Sequence, residues 1–408
     1  MTKPLRPSTQ GFSLIELMMA LALGVLITGA AMKLYSTGVD ATWVTQERAE
    51  MQQDLRAASG MMLKDISLAG AGLTQLTGES VPLPYGTTPI YGCSAGPVCP
   101  PNGALDYPCI GGACGATYPP TLYPIMPAFQ KGITPPGSVT PSDIITVVYN
   151  DTNLALNCYS GAANPITYNA TGNVLTFMAP PNPPPSSCVL PPNLAYPQAL
   201  NNTVNGLQPG DLVMVGPSTT GLLGVGEVTG MAGPVGAPTP CAGNPCVGGS
   251  QYVVTFANGD TLNLNQSGAA NDLTATKASA AGVPVTRIYV ITYYLQNWVD
   301  AGGNTTTILY RQVNGQPAVP LVDNIANMQF TYDTYNSDGT LLNADGNGGE
   351  TAVPPVSPAL IRKVNVAHLT IHSQLYGTRS SLMATLGFQS FDLQTSISAR
   401  NMSYNNRY

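Results

Sequence analysis

One carboxylate in this chain stands where a carboxylate is costly. Glu16 interrupts an apolar run that extends from Phe12 to Leu34. An acid inside such a run costs roughly 2.5–3.5 kcal/mol on insertion scales, so it implies a partner or a function. The run follows a short, polar, basic stretch, residues 1–11, MTKPLRPSTQG, which ends in Gly11. A cut between Gly11 and Phe12 would free a positive amine four residues from Glu16. In a low-dielectric medium an amine and a carboxylate attract strongly, and each alone is costly.

Few other residues offer chemistry. The chain has two histidines, His368 and His372, at the spacing of a metal pair on a helix. Their neighbourhood, Ile361–Ile371, reads as a strand, where they would merely share a face. Thr334, Asn336, Asp338-Gly339 and Asp345 approach the spacing of a calcium loop. Thr replaces the first acid and Asp the final Glu, so the candidate ligands are Asn336, Asp338 and Asp345. The plain alternative is a loop that is polar because Asn-Gly and Asp-Gly make turns. No nucleophile elbow and no phosphate-binding glycine loop occurs. The chain therefore reads as a non-enzyme that needs no cofactor.

Eight cysteines, Cys93, Cys99, Cys109, Cys114, Cys158, Cys188, Cys241 and Cys246, lie in Gly/Pro-rich surroundings between residues 90 and 250. Behind a membrane-targeting N-terminus, disulfides in an oxidising compartment are the natural reading. Pairing of sequence neighbours (93–99, 109–114, 158–188, 241–246) is the simplest arrangement among the 105 that eight cysteines allow. Zinc is the rival, but the spacings C-x5-C and C-x4-C are looser than structural zinc pairs and the histidines are far away.

The elements that would position these residues follow from pattern. Gly and Pro number 43 and 37, which favours turns and long loops over a helical bundle. The net charge of −6 opposes electrostatic binding of nucleic acid. Removal of residues 1–11 takes Lys3 and Arg6 and no acid, leaving −8. The 21 residues Leu14–Leu34 span roughly 31 Å as a helix, which matches a bilayer core. Lys3 and Arg6 in front of the run place the N-terminus in the cytoplasm and the rest outside it. The helix continues, because Met51, Leu55, Ala58, Met62, Ile66 and Ala69 form one apolar face. No Pro occurs from residue 8 to residue 81, and Gly70-Ala71-Gly72 is a stop. Strands are predicted at 144–149, 174–178, 211–215 and 251–256, and then at 287–295, 307–311, 321–332 and 361–371, with an end segment at 394–402. Residues 180–192 read as exposed polyproline.

Gly11-Phe12-Ser13-Leu14-Ile15-Glu16-Leu17-Met18 behind a basic leader resembles the cleavage and methylation motif of type IV prepilins. The order of C-terminal segments is similar to PilW-type minor pilins. These are Tyr293-Tyr294-Leu295, Leu309-Tyr310-Arg311, Leu321-Val322-x-x-Ile325-x-x-Met328-Gln329-x-x-Tyr332, Ile361-Arg362-x-Val364 and Ala399-Arg400-Asn401.

The resemblance implies an α+β, pilin-like fold. Residues 1–11 would be the leader peptide, 12–35 the transmembrane half of the N-terminal helix and 36–70 its amphipathic half. Residues 71–284 would form a large disulfide-rich β/loop insertion, and 285–408 a C-terminal antiparallel sheet on which the helix packs. It implies cutting after Gly11 by a prepilin peptidase, methylation of the Phe12 amine, and assembly through Phe12 and Glu16. Glu16 would meet the amine of a neighbouring subunit, or else satisfy its own. The partners would be other minor and major pilins and the inner-membrane pilus assembly machinery. The protein would sit in the bacterial inner membrane with its globular part outside the cytoplasm, and then at the pilus or cell surface. The chain departs from many major pilins in lacking a Pro near Lys33, so their helix kink is not implied. The expected role is that of a minor pilin in a priming or tip complex. The alternatives are a type II secretion pseudopilin and a pilus-tip adhesin that uses the cysteine-rich middle.

Overall fold

The apolar run and the stretch after it form a single helix, α1, over the 55 residues Leu14–Leu68 in a computed structural model. The structure describes residues 11, 13–73, 121–151, 173–178, 199–216, 224–235, 251–257, 285–299, 305–335, 358–372 and 390–404. Short pieces are also described at 79–80, 153–154, 156–159, 167–168, 188, 262, 301, 303 and 340–341. The chain divides into two compact units, one of residues 1–53 and 373–390, the other of 54–372 and 391–408.

The first unit holds the apolar part of α1. Its large side chains between Leu14 and Leu34 are 59–78% exposed. In the last turns of α1 the pattern changes. Leu55, Ala58, Met62, Ile66 and Ala69 are buried, as is Met51 further back, and these are the residues of the predicted face. Each fully buried large apolar side chain contributes roughly 1.5–3 kcal/mol. The helix ends at the predicted stop. Gly70 and Gly72 have φ of 74° and 66°, a conformation open mainly to glycine. A Cβ at Gly72 would also meet the Asn150 Cβ at 3.0 Å.

Among the described residues fifteen strands follow, and every pairing whose register is described is antiparallel. They are β1 (Glu79–Ser80), β2 (Thr121–Leu122), β3 (Ile125–Ala128), β4 (Ile144–Asn150) and β5 (Thr167–Tyr168). Next come β6 (Val174–Met178), β7 (Leu212–Val215), β8 (Gly224–Val235), β9 (Gln251–Phe256) and β10 (Val285–Val299). The last are β11 (Thr305–Val313), β12 (Val319–Val322), β13 (Ile325–Thr334), β14 (Ile361–His372) and β15 (Ser390–Ser398). β1 pairs with β2, and β13-β14-β15 form a three-stranded sheet. The rest form a ten-stranded sheet, β12-β11-β10-β7-β8-β9-β6-β5, with β4 on β10 and β3 on β4.

β10 organises this sheet. Its run of β-branched and aromatic residues suits a strand buried on both faces. Ile288 has partners on both edges, Asn150 and Leu212, and Ile291 has Val147 and Val313. β4 therefore takes one edge, while β7 and β11 follow each other along the other. The sheet thus draws strands from both sides of the expected 284/285 boundary, which runs through it. One core gathers Phe177, Tyr252, Phe256 and Val285 around Cys158, and another gathers Leu122, Met126, Val148, Leu212 and Ile288.

The strands depart from the predicted ones in several places, and the short β1, β2, β3 and β5 were not among those predicted. The stretch 321–332 is not one strand. It breaks at Asn324, whose φ is 57°, so that β12 pairs with β11 and β13 pairs with β14. Asn tolerates this left-handed conformation better than β-branched residues do. β8 lies where no strand was predicted. Its four glycines, Gly224, Gly226, Gly230 and Gly233, and Pro234 suppress the local signal, and pairing with β7 and β9 supplies it instead. The end segment also splits, into β15 and a short helix Arg400–Tyr404.

Candidate functional site

The site begins at the first turn of α1. Ser13 is the residue before the helix. Its Oγ accepts the Ile15 N–H at 3.4 Å, and its C=O accepts the Leu17 N–H at 3.1 Å. Glu16 reaches back, so that its Oε2 accepts the Ser13 N–H at 3.1 Å. This is a capping box, Ser-x-x-Glu, which satisfies donors that the helix leaves free. It also puts a carboxylate at the positive end of the helix dipole. The pattern is legible in the sequence, and a reading of Glu16 through its transfer cost alone passes over it.

Gly11 is exposed, and a Cβ there would meet nothing within 4 Å. Phe12 lies outside the described residues. Beyond Glu16 the helix shows a shallow groove lined by Leu21, Gly24, Val25, Thr28, Gly29 and Met32. The Thr28 hydroxyl donates to the Gly24 C=O at 2.7 Å, which hides a polar group inside the apolar stretch. α1 is long and apolar enough to cross a membrane.

The remaining candidates separate. Cys158 and Cys188 are disulfide-bonded, as neighbour pairing expected. Cys93, Cys99, Cys109, Cys114, Cys241 and Cys246 lie outside the described residues, as do Asn336, Asp338 and Asp345. Among the described residues no group of three or more His, Cys, Asp or Glu could hold a metal ion. His368 and His372 do lie on a strand, β14. His368 Nδ1 is 3.0 Å from Asp392 Oδ2, and Thr370 Oγ1 donates to Asp392 Oδ1 at 2.8 Å. Burial pushes the Asp392 carboxyl up, but hydrogen bonds from His368, Thr370 and Gln394 outweigh it and hold it below the usual range.

Two buried polar clusters carry no sequence motif. Arg287 donates from Nε to Asp151 at 2.9 Å and from one terminal nitrogen to Asp211 at 3.1 Å and to the Gly206 C=O at 2.6 Å. Its charge answers both acids, so the cluster staples loops to the sheet. The second cluster ties down α1. Asp65, 3% exposed, accepts the Tyr293 hydroxyl at 2.6 Å and Arg311 Nε at 2.8 Å, both on Oδ2. Burial and the Asp65 charge push the Tyr293 phenol up, which keeps it a donor. Burial works against the Arg311 charge, but the hydrogen bond and charge of Asp65 outweigh it.

The family model described as the prokaryotic N-terminal methylation motif matches residues 6–32. No curated protein and no solved structure matches the chain. The match covers residues 6–11 of the basic stretch, the Gly11–Phe12 junction, the capping box and most of the apolar run. The chain thus carries a type IV prepilin-like N-terminal signal on a membrane-anchoring helix, followed by a large antiparallel β structure.

Proposed function

We propose that this protein is a PilW-type minor pilin, a non-enzymatic subunit of a complex that primes or caps a type IV pilus. The observation that carries the reading is the methylation motif over residues 6–32, joined to an exposed apolar helix whose first turn holds Glu16. Among the described residues nothing lies within 4 Å of a Cβ placed at position 11. A requirement for glycine would come from the enzyme that handles the chain. In this reading the leader stays in the cytoplasm, a prepilin peptidase cuts after Gly11, and the amine of Phe12 is methylated.

The helix then moves sideways into an assembly of minor and major pilins at the inner-membrane machinery. Glu16 takes the amine of a neighbouring subunit. Its bond to the Ser13 N–H does not prevent this, because a carboxylate has about four acceptor sites. The bulk of the β structure favours a tip position or an occasional insertion over a uniform shaft.

The test is deletion of the gene, scored for surface pili and motility, with complementation by wild type or Glu16→Ala. Loss of pili, normal cleavage of Glu16→Ala and its poor incorporation are expected. Normal piliation in the deletion strain overturns the pilus reading. If protein secretion fails instead, the chain is a pseudopilin, and if only attachment fails, it is an adhesin.

A further inference from the structure

We infer that the axial position of the sheet on α1 is set by a polar key centred on Asp65, and not by the apolar face around it. Leu55, Ala58, Met62, Ile66 and Ala69 recur at spacings of three and four. A slide of one turn, about 5.4 Å, lays each residue near the place its neighbour held. Such a face buries similar area in either register and discriminates poorly between them.

Asp65 does not tolerate that slide. It sits in the last turn of α1, 3% exposed. Tyr293 and Arg311 are direct partners across the β10–β11 pair, and both donate to Oδ2 of Asp65. A one-turn shift would carry the carboxylate away from both donors and leave a charge buried without them. Buried ion pairs contribute little net stability but are well attested as register devices. The bonds from the Gly70 N–H to the Val148 C=O at 2.9 Å and from the Asn150 N–H to the Ala71 C=O at 2.8 Å hold the chain just past the helix. They act after the helix has ended and hold the turn, whereas Asp65 acts within the helix, so we assign the register of the helix on the sheet to Asp65.

Asp65 is then a positioning residue for assembly, a consequence that rests on the function proposed above. Glu16 marks position in the first turn of the helix and Asp65 in the last.

The test reads register directly and does not depend on pili. A benzophenone side chain is placed at Met61, which is 43% exposed, in the full chain in detergent, and its cross-linked sites are mapped by mass spectrometry. Wild type should label one narrow set of residues. The combination Asp65→Leu, Tyr293→Phe, Arg311→Met removes the key and keeps apolar volume. It should melt cooperatively and spread the label over residues about one helical turn apart. Asp65→Asn keeps the side-chain shape and is read in the same way if the triple variant does not fold. Labelling as narrow as wild type in a folded variant overturns the inference and assigns the register to Gly70 and Ala71. A spread label with unaffected piliation would leave the key standing and sink only its role in assembly.

Discussion

Asp143 and Phe330 join the two larger sheets. The Asp143 Oδ2 accepts the Phe330 N–H at 2.7 Å, while the Asp143 N–H donates to the Met328 C=O at 2.9 Å. Its other oxygen takes the Gln130 N–H at 2.8 Å. One residue just before β4, 2% exposed, thus does for a stretch of β13 what a paired strand would do.

Stability should depend on pH through this residue. Burial pushes the Asp143 carboxyl up to about 6, against the pull of the Gln130 and Phe330 N–H groups. Its folded pKa lies above the unfolded one. Its contribution is therefore full below about pH 4 and is lost as pH rises through about 6. The loss amounts to up to about 3 kcal/mol. Asp392 is shifted the opposite way, so its contribution is present above about pH 4 and falls away below it. Urea midpoints in detergent between pH 4 and 7 should fall for wild type and fall less for Asp143→Asn. Identical pH profiles would show that Asp143 does not titrate in this window.

Breaking the Asp65 cluster from one side should cost more than removing it whole. Arg311→Ala leaves a buried carboxylate with only the Tyr293 hydroxyl and should cost about 2–4 kcal/mol, the half-open side of Arg311 moderating the loss. Tyr293→Phe should cost about 1 kcal/mol. Chemical denaturation measures both, and a smaller loss for Arg311→Ala than for Tyr293→Phe would contradict the geometry.

The disulfide should stabilise the core around Phe177 and Tyr252. Cys158 is buried in that core and Cys188 packs against it. Replacing both by Ala should lower stability by about 2–4 kcal/mol. Wild type in reductant should approach the variant, and an unchanged midpoint would mean that the link carries no load.

The sheet crossover at Asn324 should depend on backbone conformation. Asn324→Val places a β-branched residue at φ 57° and should cost about 1–2 kcal/mol or more. Asn324→Gly should be nearly neutral. Thermal unfolding separates them, and equal losses would point to the side chain instead of the backbone.

Much of this protein is local and therefore legible in one dimension. The apolar run, its acid at position 16, the absence of proline and the glycine stop determine α1. Spacing alone identifies the face carrying Leu55, Met62 and Ile66. β4, β6, β9, β10, β11 and β14 declare themselves through β-branched and aromatic runs. The capping box was equally readable in Ser13 and Glu16, since it needs only two residues three positions apart.

Tertiary structure decided what pairing and burial control. β8, rich in glycine, becomes a strand because β7 and β9 offer it ladders on both edges. The stretch 321–332 divides because its halves find partners in different sheets. Asp65, Asp143 and Arg287 are ordinary charged residues in sequence. Their importance comes from hydrogen-bonding partners brought to them from distant parts of the chain: donors for Asp65 and Asp143, acceptors for Arg287. A buried charge is defined by its surroundings, and only the folded chain assembles those surroundings.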